Sequence, residues 1–99
     1  MAKNAGYIME LPVNGEAVVR INAPAPTLEE CQKFVGGYIE IQRVKFNGED
    51  GQMILNEEGK LHGLDVNLPA TEIFRNTYPM TDDYIVGPVL VLTGNSKVE

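Results

Sequence analysis

The sequence predicts an α+β fold: a single small domain with a mainly antiparallel sheet of five or six strands, one main helix and a second short helix. Three observations support this class. Short β-prone runs recur between turn residues, one segment combines a capping signal with helical spacing, and a length of 99 residues suits one domain. We therefore treat residues 1–99 as one unit and expect residues 1–4 and 94–99 to be frayed tails.

The chain starts with a predicted hairpin. Residues 7–11 and 17–21 are β-prone, and Asn14-Gly15 lies between them. Both residue types tolerate the positive φ that a type I′ turn requires, so the two runs are expected to pair. The following stretch holds Pro24 and Pro26, which argue against a helix or a central strand there and indicate an extended connector.

The main helix is predicted directly after this connector. Thr27 and Glu30 have the spacing of a capping box, in which each side chain accepts a hydrogen bond from the other residue's amide. Gly36-Gly37 then provides a left-handed exit from the helix. Four residues recur at helical spacing and form one apolar stripe that faces the sheet: Leu28, Cys31, Phe34 and Val35.

The remaining strands follow from alternation and from turn residues. The last run is the most apolar, and Pro88 within it lacks a ladder donor, which indicates a bulge or an edge-facing position. Because open sheets present edges that must be covered or paired, a homodimer and a monomer are equally open. The expected strands are residues 38–46, 52–55, 61–66 and 84–93, with a turn at 47–51 after the first of them.

The second, short helix is predicted to start near Asn67 and to end at about residue 76. Asn is a favoured capping residue, and Pro69 suits the first turn because its missing N–H is not needed there. The helix is expected to stop before Thr77-Tyr78-Pro79.

Charge and cysteine content argue against several functional classes. Lys and Arg total 8 against 14 Asp and Glu, which gives a net charge of -6. This sign repels a phosphate backbone, so no nucleic-acid partner is expected. No run reaches the roughly 18 apolar residues of a membrane span, so no membrane partner is expected. Cys31 is the sole cysteine, which rules out an intrachain disulfide and favours a reducing, cytoplasmic setting.

The hexamer "NEEGKL" (residues 56–61) reads as either a site or a turn. Asn56 and Gly59 occupy the first and fourth positions that a type I turn favours, and a left-handed Gly59 would make the turn a hairpin loop. Adjacent side chains on a turn diverge, whereas an acid–base pair must converge, so Glu57 and Glu58 are weak catalytic candidates. An enzyme built on these two residues and His62 is the least favoured of the functional interpretations.

Metal and cofactor chemistry have little support in the sequence. One histidine and one cysteine, His62 and Cys31, are too few conventional ligands for a zinc site, and a nucleophilic pair of the two lacks an orienting group. Asp82-Asp83 does not lie in a spacing that resembles a calcium loop. We expect no cofactor and no bound metal.

Four motifs follow one another in the sequence: "VGGYIE" (35–40), "NEEGKL" (56–61), "GLDVN" (63–67) and "IVGPVLV" (85–91). Together they resemble a family of small uncharacterised domains of unknown function found in bacteria, bacteriophages and other mobile elements. The resemblance covers residues 28–93, and the chain departs from the pattern at Asp65, where proline is more usual, and at Pro88. It implies no catalytic residues, and it implies a phage- or element-encoded accessory protein that acts inside the bacterial host.

These observations together predict a non-enzymatic binding module that acts on a host protein or associates with itself. The alternative is a small-ligand binding protein for a nucleotide or a metabolite, with the 56–60 turn and Asn67 supplying polar groups at one end of the sheet. Scaffolded turns commonly carry binding, and tyrosine is enriched at interfaces. The candidate binding residues are Tyr38, Glu40, Asn56, Glu57, Lys60 and Asn67.

Overall fold

The structure, a computed structural model, describes residues 6–98. It contains one five-stranded antiparallel sheet in the order β2-β1-β5-β4-β3, with a helix on each face, and it confirms the predicted α+β class. None of the described helices has the length and apolar character needed to cross a membrane. The elements are β1 (Tyr7–Leu11), β2 (Val18–Ile21), α1 (Leu28–Val35), β3 (Ile39–Phe46), β4 (Glu49–Asn56), α2 (Leu68–Thr77) and β5 (Val89–Thr93).

The central strand β5 divides the core into two layers. All five of its residues are buried, and its side chains alternate between the two faces of the sheet. Val89 and Val91 face α2, whereas Leu90 and Leu92 face α1. The α2 layer also contains Met9, Leu11, Val44, Met53, Leu55, Ala70, Ile73, Phe74 and Ile85, and the α1 layer also contains Ile8, Cys31, Val35 and Ile54.

Both helices begin at the predicted caps. The Thr27 hydroxyl accepts from the Glu30 amide at 3.0 Å, and the Glu30 carboxylate accepts from the Thr27 amide at 2.8 Å, which confirms the capping box. Gly36 ends α1 with a φ of 86°, in the left-handed region. Asn67 caps α2, and its side-chain oxygen accepts from the Ala70 amide at 3.1 Å.

The two Asn-Gly pairs behave differently. β1 and β2 pair as expected, but only Gly15 of the Asn14-Gly15 pair has a positive φ, so the type I′ turn predicted there is wrong. The type I′ geometry occurs instead at Asn47-Gly48, with φ values of 53° and 78°. This turn is tighter than predicted, and β4 begins directly after it at Glu49.

One predicted strand does not form, and the last strand starts later than predicted. Within the described residues no strand forms at 61–66, and the last strand starts at Val89 because Gly87 adopts a φ of 77° just before it. Residues 65–67 and 85–87 instead run beside each other as loops. They share one bridge, between Val66 and Val86, and the Asn67 amide donates to the Ile85 carbonyl at 2.8 Å.

The segment after β5 is held against the sheet, although we expected it to fray. Residues 94–96 form a turn of 3-10 helix, and the buried Ser96 hydroxyl donates to the carbonyl of Ala23. Gln52 and Val98 exchange two hydrogen bonds of 2.8 Å. Polar side chains elsewhere in the fold anchor this segment, which a local sequence pattern does not reveal. The other expected tail, residues 1–4, and residue 99 lie outside the described residues.

Candidate functional site

Asn56 organises the turn that the sequence singled out. Its side-chain oxygen accepts from the Glu58 amide at 2.8 Å, and its carbonyl accepts from the Gly59 amide at 3.2 Å, which is the expected type I turn. Its side-chain nitrogen donates to the Val35 carbonyl at the end of α1, at 3.2 Å. A Cβ on Gly37 would lie 3.0 Å from this nitrogen, so the glycine permits the close approach. Asn56 therefore joins α1, β4 and the turn.

Gly59 serves a different purpose from the one predicted. It lacks a positive φ, and a Cβ on it would lie 2.8 Å from Cγ2 of Val86, so its small size is what the packing needs. The chain does not reverse into a strand after it. The His62 amide donates to the Glu58 carbonyl and the Leu64 amide to the Gly59 carbonyl, both at 3.0 Å, so the segment continues as helical turns.

An open cavity of about 260 Å³ lies beside this turn. Its floor is apolar and comes from β4, α2 and the segment before β5. Its rim is polar except for Leu61 and comes from β3, the turn with the residue after it, and the end of the loop that follows α2. The floor is formed by Leu55, Phe74, Ile85 and Val86, and the rim by Glu40, Gln42, Asn56, Glu57, Glu58, Gly59, Lys60, Leu61, Asp83 and Tyr84.

The rim carries an excess of negative charge. Among the described residues that line the cavity, four are carboxylates and Lys60 is the one base. The Lys60 ammonium pairs with the Asp83 carboxylate and lies 4.3 Å from the centre of the Tyr84 ring. The cavity therefore already surrounds one cation with a carboxylate and an aromatic face.

Asp83 is the most strongly positioned of these carboxylates. The hydrogen bond from Lys60 holds the pKa of Asp83 below its usual range, and the Tyr84 amide, which donates to the same carboxylate oxygen at 2.8 Å, adds to the effect. Arg75 on α2 donates to the carbonyls of Asp83 and Asp82, at 2.9 and 3.0 Å. These contacts fix the Asp83 segment at the cavity mouth.

The structure brings together four of the six candidate binding residues. Glu40, Asn56, Glu57 and Lys60 all line the cavity. Tyr38 lies outside it, 68% exposed, on a neighbouring open groove that it shares with Glu58 and His62.

Asn67 lies apart from the cavity and is fully buried. Besides capping α2, its side-chain nitrogen donates to the carbonyls of Leu11 and Gly87, at 2.9 and 2.8 Å. Its amide is thus fully engaged within the fold, and its position supports a structural role in place of the binding role that we expected.

Sequence reasoning did not join Asp83 and Tyr84 to the turn. They lie 23 and 24 residues after Lys60, and no local pattern links the segments. Tyrosine enrichment at interfaces was the one available signal for Tyr84. The pairing depends on the path of the chain around α2.

The remaining reactive side chains do not form a convergent set. His62 and Glu58 approach to 3.2 Å in an exposed position, four residues apart on the helical turns. Cys31 lies on the buried, sheet-facing side of α1, where burial raises the pKa of its thiol and nearby Glu30 adds to the rise. Within residues 6–98, no three His, Cys, Asp or Glu side chains cluster in a way that could hold a metal ion.

Comparison with known proteins gives one result. No curated protein and no solved structure matches the chain. A family profile matches residues 8–99, which includes the first hairpin that the four sequence motifs left out. The chain belongs to the family described as Domain of unknown function (DUF3846).

Proposed function

We propose that the protein is a non-enzymatic binding module whose cavity receives a basic side chain from a protein partner. The observation that carries this proposal is the acidic rim over an apolar floor. A lysine or arginine side chain has the matching shape, because its aliphatic stem favours apolar surface and its charged head favours carboxylates.

The electrostatics of the cavity favour a cation over an anion. Glu40 and Glu57 lie on the rim, and within the described residues neither forms an ion pair, whereas Asp83 is neutralised by Lys60. An incoming guanidinium would meet the carboxylates of Glu40 and Glu57 on the rim, while the Lys60 ammonium occupies the face of Tyr84. The same carboxylates would repel a nucleotide phosphate, which disfavours the nucleotide alternative.

The size of the cavity favours a side chain over a whole ligand. Pockets for drug-sized ligands and cofactors commonly hold about 300–1,000 Å³, and this one holds about 260 Å³. The exposed Leu61 beside the cavity adds apolar surface for the rest of a partner. A partner that inserts one basic residue and rests on the rim fits these dimensions.

The proposed setting is the cytoplasm of a bacterial host, with the protein encoded by a phage or another mobile element. The resemblance of the four sequence motifs supports this setting. The single cysteine, which is a free thiol on the buried side of α1, agrees with a reducing compartment. The host protein would present a basic surface, since the module carries a net charge of -6.

A titration with n-butylguanidinium tests the proposal, because this probe reproduces an arginine side chain without a peptide. Observed by ¹H–¹⁵N NMR, it should shift the amides of residues 56–60 and 83–85, and the neutral isostere n-butylurea should not. Glu57→Gln should weaken binding by about three-fold, which is the size of one exposed charge interaction. Glu16→Gln is the matched control, because Glu16 is an exposed carboxylate remote from the cavity lining.

A lysate experiment tests the partner. A bacterial protein that the wild type and the Glu16→Gln variant retain equally, but that Glu57→Gln and Glu40→Gln each retain in a clearly smaller amount, would support the proposal. Equal shifts with n-butylurea, or retention that ignores both cavity substitutions, would contradict it.

A further inference from the structure

The part of one sheet edge at residues 43–45 is protected by the end of α2. The amide of Lys45 on β3 donates to the Thr77 hydroxyl at 3.0 Å, and the Tyr78 hydroxyl donates to the Arg43 carbonyl at 2.6 Å. These contacts occupy outward-facing backbone groups of β3. The charges of Lys45 and Arg43 also discourage another strand from pairing there.

The opposite edge, β2, lacks this protection. The Asn22 amide donates to the Gly6 carbonyl at 2.9 Å, so these two residues form a hydrogen-bonded pair. Every second residue before Asn22, namely Arg20 and Val18, therefore also directs its backbone groups to β1. The backbone groups of Val19 and Ile21 therefore point away from the sheet. Within residues 6–98, no other backbone or side-chain group hydrogen-bonds to them.

The side chains on this edge are apolar and exposed. Val19 is 52% exposed and Ile21 is 76% exposed. They lie opposite Met9 and Tyr7 of β1, on the face of the sheet that α2 covers further along. An open row of donors and acceptors that carries β-branched side chains is a template for strand addition.

We propose that residues 17–21 pair with the same residues of a second copy of this chain, antiparallel about a twofold axis at Val19. The two sheets of five strands would become one continuous sheet. Val19 then pairs with itself, Ile21 lies beside Ala17 of the second copy, and about six main-chain hydrogen bonds form. A register centred one residue later would set two Arg20 side chains directly opposite each other, which is destabilising.

Pairing through β2 is isologous, since the same residues of both copies meet about the twofold axis, so each contact joins two copies and uses both of their β2 edges. At the other edge, the contacts of α2 with Arg43 and Lys45 obstruct the addition of a further strand. The contact is short, at the low end of specific interfaces, and both copies carry a net charge of -6. The dissociation constant of the dimer is therefore expected at roughly 10–100 µM. The dimer should strengthen with salt, since salt screens the repulsion. Binding of a basic partner in the cavity should weaken with salt, which separates this proposal from the cavity function.

Sedimentation equilibrium between about 5 and 500 µM protein measures the pairing over the range that such weak association requires. The wild type should approach twice the monomer mass, and Val19→Lys should raise the dissociation constant by at least about ten-fold. Ile41→Lys is the matched control, since Ile41 lies on the β3 edge and is 43% exposed. Circular dichroism should show that both variants keep the fold.

A cysteine at the axis tests the register. Val19→Cys should form a disulfide-linked dimer under mild oxidation, because residues in a hydrogen-bonded pair have Cα atoms about 5.5 Å apart, within disulfide range. Ile41→Cys should not, and the native Cys31 is buried and does not compete. A wild type that stays monomeric at the highest concentration, or a dimer that Val19→Lys leaves intact, would overturn the proposal.

Discussion

Replacing Asn67 with alanine should lower the free energy of unfolding, because this side chain supports the fold and does not line the cavity. The Asn67 side chain makes three buried hydrogen bonds: one accepted from the Ala70 amide and two donated to the carbonyls of Leu11 and Gly87. Loss of the helix cap costs about 1 kcal/mol. Each lost donor bond, with its carbonyl left in a buried site, costs about another 1 kcal/mol.

The expected sum for Asn67→Ala is about 3 kcal/mol, a large fraction of the roughly 5–15 kcal/mol that typically stabilises a domain. For a chain of this length the melting temperature should fall by roughly 12–24 °C. Asn67→Ser is the matched variant, because serine keeps an oxygen for the cap but cannot reach both carbonyls. It should recover about 1 kcal/mol of the loss.

Thermal and urea unfolding, followed by circular dichroism, measure both variants. A loss below about 0.5 kcal/mol in each would refute the structural reasoning, since that is the scatter of ordinary surface substitutions. Normal stability combined with lost n-butylguanidinium binding would go further, because it would return Asn67 to the binding role that the sequence suggested.

Two further predictions concern the walls of the cavity. Gly59→Ala should cost about 1–3 kcal/mol in urea unfolding, because the added Cβ would lie 2.8 Å from Val86 and overpack the site; stability equal to the wild type would show that Val86 moves without cost. The pKa of Asp83 is lowered in the folded state, chiefly by the hydrogen bond from Lys60. The Asp83 carboxylate therefore stabilises the fold above its unfolded-state pKa, and this stabilisation is lost as the pH falls through its folded-state pKa. Because the pair is half exposed, Asp83→Asn should cost no more than about 0.5 kcal/mol at pH 7 and should approach the wild type at about pH 2, and a larger cost at the lower pH would contradict this sign.

Interactions confined to a few consecutive residues could be predicted from the sequence. The capping box of Thr27 and Glu30 spans one helical turn, and the Asn47-Gly48 turn needs only two residues with positive φ. Asn56 likewise bonds to amides two and three residues ahead. In these cases the competing conformations lack the same local hydrogen bonds, so the residue types favour the observed structure. Residue types alone are not sufficient, because Asn14-Gly15 has the same two residues as Asn47-Gly48 and does not form the type I′ turn.

Features that depend on chain segments far apart could not be predicted in this way. A glycine is needed at position 59 because Val86 packs against it. The strand expected after it does not form, because the amides of residues 62 and 64 donate to carbonyls of the preceding turn. The pairing of Lys60 with Asp83 requires α2 to lie between them in the chain. The sequence therefore indicated half of the cavity, namely the turn and Glu40, and missed the half that α2 and the following loop bring in.

Of the five strands of the sheet, the central one is synthesised last. β5 joins β1 to β4, so the β1–β2 and β3–β4 hairpins have no common partner until residues 89–93 have left the ribosome. A nascent chain that stalls before this point would expose the apolar faces of both hairpins and would be a target for chaperones and proteases. The folding rate should thus be governed by the arrival of one late segment, and a chain truncated before Val89 should be degraded and not accumulate as a partly active fragment.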